Sequence, residues 1–225
     1  MKYSLLLICL LALATLANIA PGRWVEESST IERGEHPQIT MADEEVTVFF
    51  WEDCVLVEAW YDMHNSGEAT RNAMLLPMYF EYPGQENDFE PSVAVAINGE
   101  SLESHITRRR QYDEAGNHTA TLVSALFRGG QLAAESTTRF TVSYLAPYTA
   151  EGCFEYPLGT GGGWQNAIGH GVLWLRPGPG ADWSIVEEYG DVALPEPSFD
   201  GETVRWEFTE LEPPADTCYW LKTRR

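Results

Sequence analysis

The sequence predicts an all-β fold, an antiparallel β-sandwich of one large or two small lobes that follows a cleaved signal peptide. Apolar residues recur with a period of two in run after run, which is typical of strands with one buried face. Turn signals such as Asn98-Gly99 and Asp200-Gly201 separate these runs. After residue 20, no segment shows a sustained helical period, so helices are not expected to form the core.

Residues 1–20 have the organisation of a signal peptide. Lys2 precedes an apolar run from Leu5 to Leu13, and small residues follow as far as Ala20. The run is shorter than the ~20 residues that a membrane-spanning helix needs, and no later segment reaches that length. We therefore expect an exported protein, periplasmic or extracellular, without a membrane span.

The first lobe is expected over residues 38–112, after a flexible polar segment at 21–37. Its clearest feature is a β-hairpin, in which residues 44–51 and 55–63 alternate in polarity on either side of a short polar break. Pro77 interrupts a later strand and predicts an edge position or a bulge. Asn98-Gly99 follows another strand, and both residues tolerate the positive φ of a tight hairpin turn.

The second lobe is expected over residues 113–225, with the boundary in the polar stretch 108–118. One or two helical turns are expected near residues 131–136. The other apolar runs of this half predict strands, which are 119–127, 140–144, 153–158, 171–175, 203–208 and 217–221.

Charge excludes several classes of partner. Acidic residues number 34 and basic residues 14, for a formal net charge of −20. Such a protein is repelled by nucleic acid and by anionic membrane surfaces, so a protein or a cell-envelope component is the expected partner. The arginine-rich, lysine-poor composition fits either a salt-rich habitat or a GC-rich genome. The oligomeric state is not predicted.

Three cysteines remain after cleavage of the leader. Cys153 and Cys218 lie in the same half of the chain and form the preferred disulfide candidate, since an exported protein meets an oxidising compartment. Cys54 would then be a lone thiol. The alternative is that all three cysteines stay reduced.

Catalytic motifs are missing from the sequence, and no catalytic residue is assigned. It contains no G-x-S-x-G elbow and no pair of histidines at metal-ligand spacing. The best metal candidates are His64, Asp62 and Glu58, which share the polar face of one strand and raise the alternative of a metal-dependent hydrolase. The acidic loop 85–90 could bind calcium weakly, although its spacing differs from that of a calcium loop.

Aromatic residues supply the candidate ligand-binding positions. Trp51 and Trp60 fall on the less apolar faces of their strands, and Trp164 follows a glycine-rich loop. Exposed rings on a sheet can stack on sugars, which raises the alternative of a carbohydrate-binding module. The competing interpretation is that these rings fill the core and its edges.

A short motif near the middle of the second half resembles a known pattern. The pattern is Y-x-L-T-T-G-x-x-W-x-G-P-I-G, which is similar to that of a family of secreted bacterial all-β domains of unknown function. It is matched by Tyr156, Leu158, Thr160, Gly161, Trp164, Ile168 and Gly169. Further matching positions are Tyr61, Asn65, Pro77, Trp206, Phe208 and Pro213, whereas Gly159, Asn166 and Ala167 depart from the pattern. The resemblance implies a secreted β-rich body and assigns no activity.

Together these observations predict a secreted or periplasmic binding or interaction protein that has no catalytic role and whose ligand is unknown. A carbohydrate-binding module and a metal-dependent hydrolase are the two alternatives. No resident cofactor is expected.

Overall fold

A computed structural model of the chain describes residues 20–25, 30–33, 38–71, 73–84, 89–127, 130–149, 152–156, 164–178, 184–190, 195–212 and 219–224. These ranges contain strands and no helix. In chain order the strands are β1 (Ala20–Val25), β2 (Thr30–Arg33), β3 (Ile39–Phe50), β4 (Cys54–Asn65), β5 (Thr70–Arg71), β6 (Ala73–Glu81), β7 (Val93–Ile97), β8 (Glu100–Leu102), β9 (Ser104–Tyr112), β10 (His118–Phe127), β11 (Gln131–Leu132), β12 (Ser136–Pro147), β13 (Cys153–Tyr156), β14 (Ile168–Pro177), β15 (Ser184–Gly190), β16 (Ser198–Phe199), β17 (Val204–Leu211) and β18 (Tyr219–Arg224).

Two large sheets form a sandwich, which confirms the predicted all-β class. One sheet has eight strands in the order β16-β17-β14-β3-β4-β12-β7-β8, and the other has five in the order β2-β1-β6-β10-β9. A two-stranded sheet (β11-β5) and a three-stranded sheet (β13-β18-β15) complete the described strands. Among these residues, no helix has the length and apolar character needed to cross a membrane.

The core lies between the two large sheets. Period-two alternation gives β3, β4 and β12 one apolar row each, and these rows pack against inward residues of β6 and β10 in one continuous cluster. Trp206 and Tyr61 are the bulkiest of the fully buried side chains. Burial of these rows fixes the register of the sheet, because a slip of one residue would turn every apolar side chain outward.

The predicted hairpins and the predicted bulge are confirmed. β3 and β4 pair antiparallel across the turn at residues 51–53, with Phe50 opposite Val55. Asn98 and Gly99 join β7 to β8 with φ values of 49° and 85°. The register between β6 and β10 shifts between Val123 and Ser124, opposite Pro77, so the proline is accommodated by a bulge.

Four features differ from the sequence predictions. Both large sheets mix strands from the expected lobes 38–112 and 113–225, so the stretch 108–118 separates no independent sheets. The expected flexible segment 21–37 contains strand β2 and most of β1. β14 pairs parallel with β3, so the sheet is mixed rather than purely antiparallel. The expected helical turns at 131–136 are instead strand β11 and a turn before β12.

Candidate functional site

The outer face of the eight-stranded sheet carries the candidate site. Along β4, inward apolar residues alternate with outward Glu58, Trp60 and Asp62. The inner face is covered by the core, whereas these outward side chains are half-buried or exposed. This face is therefore the part of the sheet that a ligand can reach.

A depression of about 410 Å³ lies on this face beside Trp60. It forms because outward residues on the neighbouring strands are short. Thr141 of β12 pairs with Ala96 of β7, and Ala96 pairs with Ser101 of β8. The lining consists of Glu45, Thr47, Glu58, Ala59, Trp60, Ala94, Val95, Ala96, Ser101, Thr141, Val142 and Ser143. Small-molecule sites are commonly about 300–1,000 Å³, so the depression has a suitable size.

Trp60 separates the depression from an arginine. The Arg139 guanidinium lies over the indole, with its carbon 4.1 Å from the ring centroid. Asp62 holds Arg139 through a bidentate pair, with distances of 2.7 Å from Nε to Oδ1 and 2.6 Å from Nη2 to Oδ2. This hydrogen bonding with Asp62 raises the pKa of Arg139. Asp62 follows Trp60 on the outer face of β4, whereas Glu58, which lines the depression, precedes it.

Glu45 and Glu58 are the acidic residues of the depression. Glu45 lies opposite Trp60, and Glu58 lies opposite Thr47. The two glutamates are thus diagonal neighbours on adjacent strands, and their Cα atoms lie roughly 7–8 Å apart. Within the described part of the chain, neither carboxylate has a hydrogen-bond or ion-pair partner, so both remain free to accept hydrogen bonds from a ligand.

A second charged cluster lies on the same face and is internally paired. His170 of β14 contacts Asp43 at 2.7 Å through Nδ1 and Glu207 at 3.2 Å through Nε2. Arg205 also pairs with Glu207, at 2.7 Å. Hydrogen bonds with Asp43 and then Glu207 raise the pKa of His170, because an imidazole donates from both nitrogens only when protonated. The pKa of Glu207 is lowered by Arg205 and by His170.

Trp174 lies within this second cluster. Two guanidinium carbons lie near its ring centroid, that of Arg176 at 4.8 Å and that of Arg205 at 5.1 Å. Unlike Trp60, this indole does not line the depression. Glu207 pairs with Arg205, whereas the Arg176 Nε and the Trp174 Nε1 are buried without a hydrogen-bond partner among the described residues.

Of the predicted ligand-binding tryptophans, only Trp60 lines the depression. Trp164 is 5% exposed and packs in the core, away from the depression, and its role in ligand binding stays a prediction. Trp51 is 40% exposed but lies at the β3–β4 turn, where its carbonyl accepts a hydrogen bond from the Tyr148 hydroxyl. Trp60 lies six residues after the start of β4 at Cys54, roughly 20 Å along the strand, and Trp51 precedes that start, so the two rings do not form one surface.

The three metal candidates also stay apart. His64 forms a hydrogen bond between Nδ1 and the Thr137 hydroxyl at 3.2 Å, and Asp62 is held by Arg139. Glu58 lies on the far side of Trp60. Among the described residues, no group of three or more histidine, cysteine, aspartate or glutamate side chains could hold a metal ion. The expected calcium loop at 85–90 falls largely outside the described residues.

The cysteines give a partial result. Cys54 is a free thiol at the start of β4, and burial, followed by the charge of Asp53, raises its pKa. The backbone of Cys153 lies opposite Lys222. Cys218 lies outside the described residues, so the disulfide with Cys153 stays a prediction. Residues 1–19 of the predicted leader 1–20 lie outside them as well.

A buried polar cluster lies on the inner side of the same strands. Glu44 is 2% exposed and faces the core, where it pairs in register with Tyr61. Burial raises the pKa of Tyr61 well above its usual value, and the Glu44 charge adds to this. Tyr156 is hydrogen-bonded to Tyr61, and burial raises its pKa as well. Gly171 lies against the Phe208 ring, which an added Cβ would displace.

Several residues of the site were missed by sequence reasoning. Arg139 and His170 were not singled out because their neighbours come from strands distant in sequence, and Glu45 was not because it meets Trp60 only through the register of β3 against β4. One usable signal was present, since the outward residues of β7 are the alanines Ala94 and Ala96. Small outward residues next to a tryptophan-bearing strand indicate a concave surface.

The fold and the open, partly charged sheet face define an all-β sandwich with a surface depression. Neither a family model nor a curated protein sequence matches the chain. Among solved structures, a proposed nutrient-binding protein from Legionella pneumophila is similar, with a TM-score of 0.54 and 15% identity over 92% of this chain and 70% of that chain. At this identity, the likeness shows the fold alone.

Two metallopeptidase-related structures are more distant. An M1 zinc metallopeptidase from Deinococcus radiodurans gives a TM-score of 0.44 at 10% identity, covering 84% of this chain and 43% of that one. Yeast LTA4 hydrolase gives a TM-score of 0.44 at 9% identity, covering 82% and 28% respectively. The chain spans less than half of either enzyme, and likenesses this distant carry no argument about activity.

Proposed function

We propose that this is an exported binding protein without a catalytic role, and that it holds a small organic ligand in the depression beside Trp60. The observation that carries the proposal is the combination of a half-buried, accessible indole with the carboxylates of Glu45 and Glu58, which have no partner among the described residues. Ligand sites typically join apolar contact surface with a few polar groups that fix orientation. The Trp60 depression has both, whereas beside Trp174 the carboxylates of Asp43 and Glu207 are already paired with His170 and Arg205.

The shared fold adds limited support. The similar protein from Legionella pneumophila is a proposed nutrient-binding protein, and binding without chemistry agrees with the missing catalytic motifs in this sequence. The signal-peptide pattern of residues 1–20 supports export. We also propose that the small ligand is part of a protein or of a cell-envelope component, which are the expected partners.

The test is a binding screen with matched variants. Purified mature protein is titrated calorimetrically with a panel of primary amines, carboxylic acids, amino acids and mono- and disaccharides. We expect at least one class to bind, and Trp60→Ala to weaken that binding by tenfold or more. Trp51→Ala is the control and should leave it unchanged. A panel without binding, or binding that survives Trp60→Ala, would overturn the proposal.

Carbohydrate binding is the second candidate. Hydroxyl groups of Thr47, Thr141 and Ser143 line the depression together with Trp60 and can hydrogen-bond sugar hydroxyls. Indole rings also stack on the apolar faces of sugars. Trp60-dependent binding of disaccharides, with no response to amines, would support this candidate over the inference below.

The metal-dependent hydrolase is less well supported, because Asp62 is already engaged by Arg139 and His64 by Thr137. Elemental analysis of the purified protein tests it directly. Stoichiometric zinc that disappears in His64→Ala would revive this alternative.

A further inference from the structure

We infer that the ligand of the Trp60 depression is a primary amine, cationic at neutral pH, with a small apolar body. The inference rests on the proposed function, because it names the chemical class that the same site takes. It is argued from the charges that line the depression, from the contact already made by Trp60, and from the size of the space.

The first argument is the charge balance of the sheet face. Asp62 is matched by Arg139, and Glu207 by Arg205. Glu45 and Glu58 line the depression and have no such match among the described residues. Glu45 and Glu58 are diagonal neighbours whose Cα atoms lie roughly 7–8 Å apart, and both side chains are long enough to converge on one ammonium group that donates to both. A carboxylate ligand would be repelled at the same point.

The second argument is the cation-π contact that the Trp60 indole already makes. Trp60 already holds the guanidinium of Arg139 at 4.1 Å, so its ring is placed to attract a positive charge on this face. Arg139 does not line the depression, and the space therefore remains available on the other side of Trp60. An alkylammonium can place its charge near the glutamates and its apolar body against the indole.

The third argument is the polar remainder of the lining. An ammonium has three N–H donors, and two carboxylates leave one donor to satisfy. The hydroxyls of Thr47, Thr141 and Ser143 are acceptors in the same depression. Ala94 and Ala96 supply an apolar floor for the rest of the ligand. The net charge of −20 attracts a cation toward the protein before contact.

The experiment compares three probes of the same shape and different charge. Phenethylamine, 2-phenylethanol and phenylacetate are titrated calorimetrically into the mature protein at neutral pH. Hydrogen bonds to a charged partner are worth roughly tenfold to a hundredfold in affinity, so phenethylamine should bind at least about tenfold more tightly than 2-phenylethanol. Phenylacetate should show no binding. Raising NaCl from about 20 mM to about 500 mM should weaken phenethylamine binding by screening.

Charge-neutral variants locate the effect. Glu45→Gln and Glu58→Gln should each weaken phenethylamine binding by about tenfold and leave 2-phenylethanol binding unchanged. Glu202→Gln removes the same charge from an exposed turn far along the chain and serves as the control. Circular dichroism confirms that each variant is folded.

The outcomes separate this inference from the proposed function. Equal binding of phenethylamine and 2-phenylethanol, lost in Trp60→Ala, would overturn the amine and keep the binding site. Tighter binding of phenylacetate would do the same. Amine binding that ignores Glu45→Gln and Glu58→Gln would also contradict the inference. If no probe and no member of the wider panel depends on Trp60, the proposed function itself fails.

Discussion

Trp60 and Trp174 lie on the same face of the same sheet, but their surroundings differ in how charge is balanced. Trp174 has the guanidinium groups of Arg176 and Arg205 beside it, and Glu207 pairs with Arg205. Trp60 has one guanidinium beside it and two carboxylates in the adjoining depression. The comparison teaches that half-buried aromatic rings on one sheet face are not equivalent, because unpaired carboxylates beside an indole leave interactions for a cation and carboxylates that are already paired do not.

Filling the depression should have the largest effect on ligand affinity. Ala96→Trp adds a large ring beside Thr141 without removing a charge, and we expect it to reduce ligand binding by about fiftyfold or more, or about 2.3 kcal/mol. The stability of the fold should change little, because Ala96 faces outward. Calorimetry with the ligand found in the screen measures the loss. Unchanged affinity in a folded variant would place the ligand elsewhere.

The next test compares the alanine variants of the two tryptophans. Trp174→Ala should lower the free energy of unfolding by roughly 1–2 kcal/mol, since a half-buried ring and its cation contacts are lost. It should leave ligand binding within about twofold. Trp60→Ala should show the reverse, with a large loss of affinity and a smaller loss of stability. Urea unfolding and calorimetry on both variants give the comparison, and identical profiles would contradict it.

The Arg139–Asp62 pair should have a smaller effect on stability. Both side chains are partly exposed, with bidentate geometry, so a double-mutant cycle should give a coupling of about 0.5–1 kcal/mol. Arg139→Lys should lose most of this coupling, because an ammonium lacks the planar fork. The cycle is measured by urea unfolding. A coupling near zero would show that Asp62 does not position Arg139 on Trp60.

The smallest effect is expected for the pH dependence of stability that comes from His170 in the Trp174 cluster. Because the pKa of His170 is raised in the folded chain, its protonated form stabilises the fold. That contribution is fully present below the unfolded value of about 6.5 and is lost as the pH rises through the folded-state pKa. Wild type should therefore exceed His170→Gln in stability by more at about pH 5.5 than at about pH 8.5.

The matching control uses the partner carboxylate of His170. In Asp43→Asn, the first of the two hydrogen bonds to His170 loses its charge, so the effect of His170→Gln should vary less with pH. The measurement is again the free energy of unfolding at both pH values. A difference that grows with pH would reverse the assigned sign and exclude the imidazolium.

Local features of the fold could be predicted from the sequence, and long-range ones could not. The β3–β4 hairpin follows from alternating polarity on both sides of a two-residue break, and the bulge follows from Pro77 inside a strand. Parallel pairing of β3 with β14 has no comparable local signal, since each strand keeps the same pattern whichever neighbour it takes. Because the local sequence does not specify which strands pair, it predicted a lobe boundary within 108–118, where the structure separates no independent sheets.

The candidate site shows the same division. Trp60 and Glu58 were singled out from the polar face of one strand, although Glu58 was assigned to a metal. Glu45 enters the site only through the register of β3 against β4. Trp164 follows a glycine-rich loop, and the core accommodates its ring. Burial of a tryptophan depends on the opposite layer of the sandwich, which the local sequence does not specify.

The parallel pair of β3 and β14 also constrains the order in which the chain can fold. Asp43 lies opposite His170, 127 residues later, so the centre of the larger sheet closes only when both distant segments are present. Contacts of such separation slow folding, because a long loop must be closed before they form. The depression beside Trp60 is lined by residues of β3, β4, β7, β8 and β12, whereas the Trp174 cluster needs β14 in place.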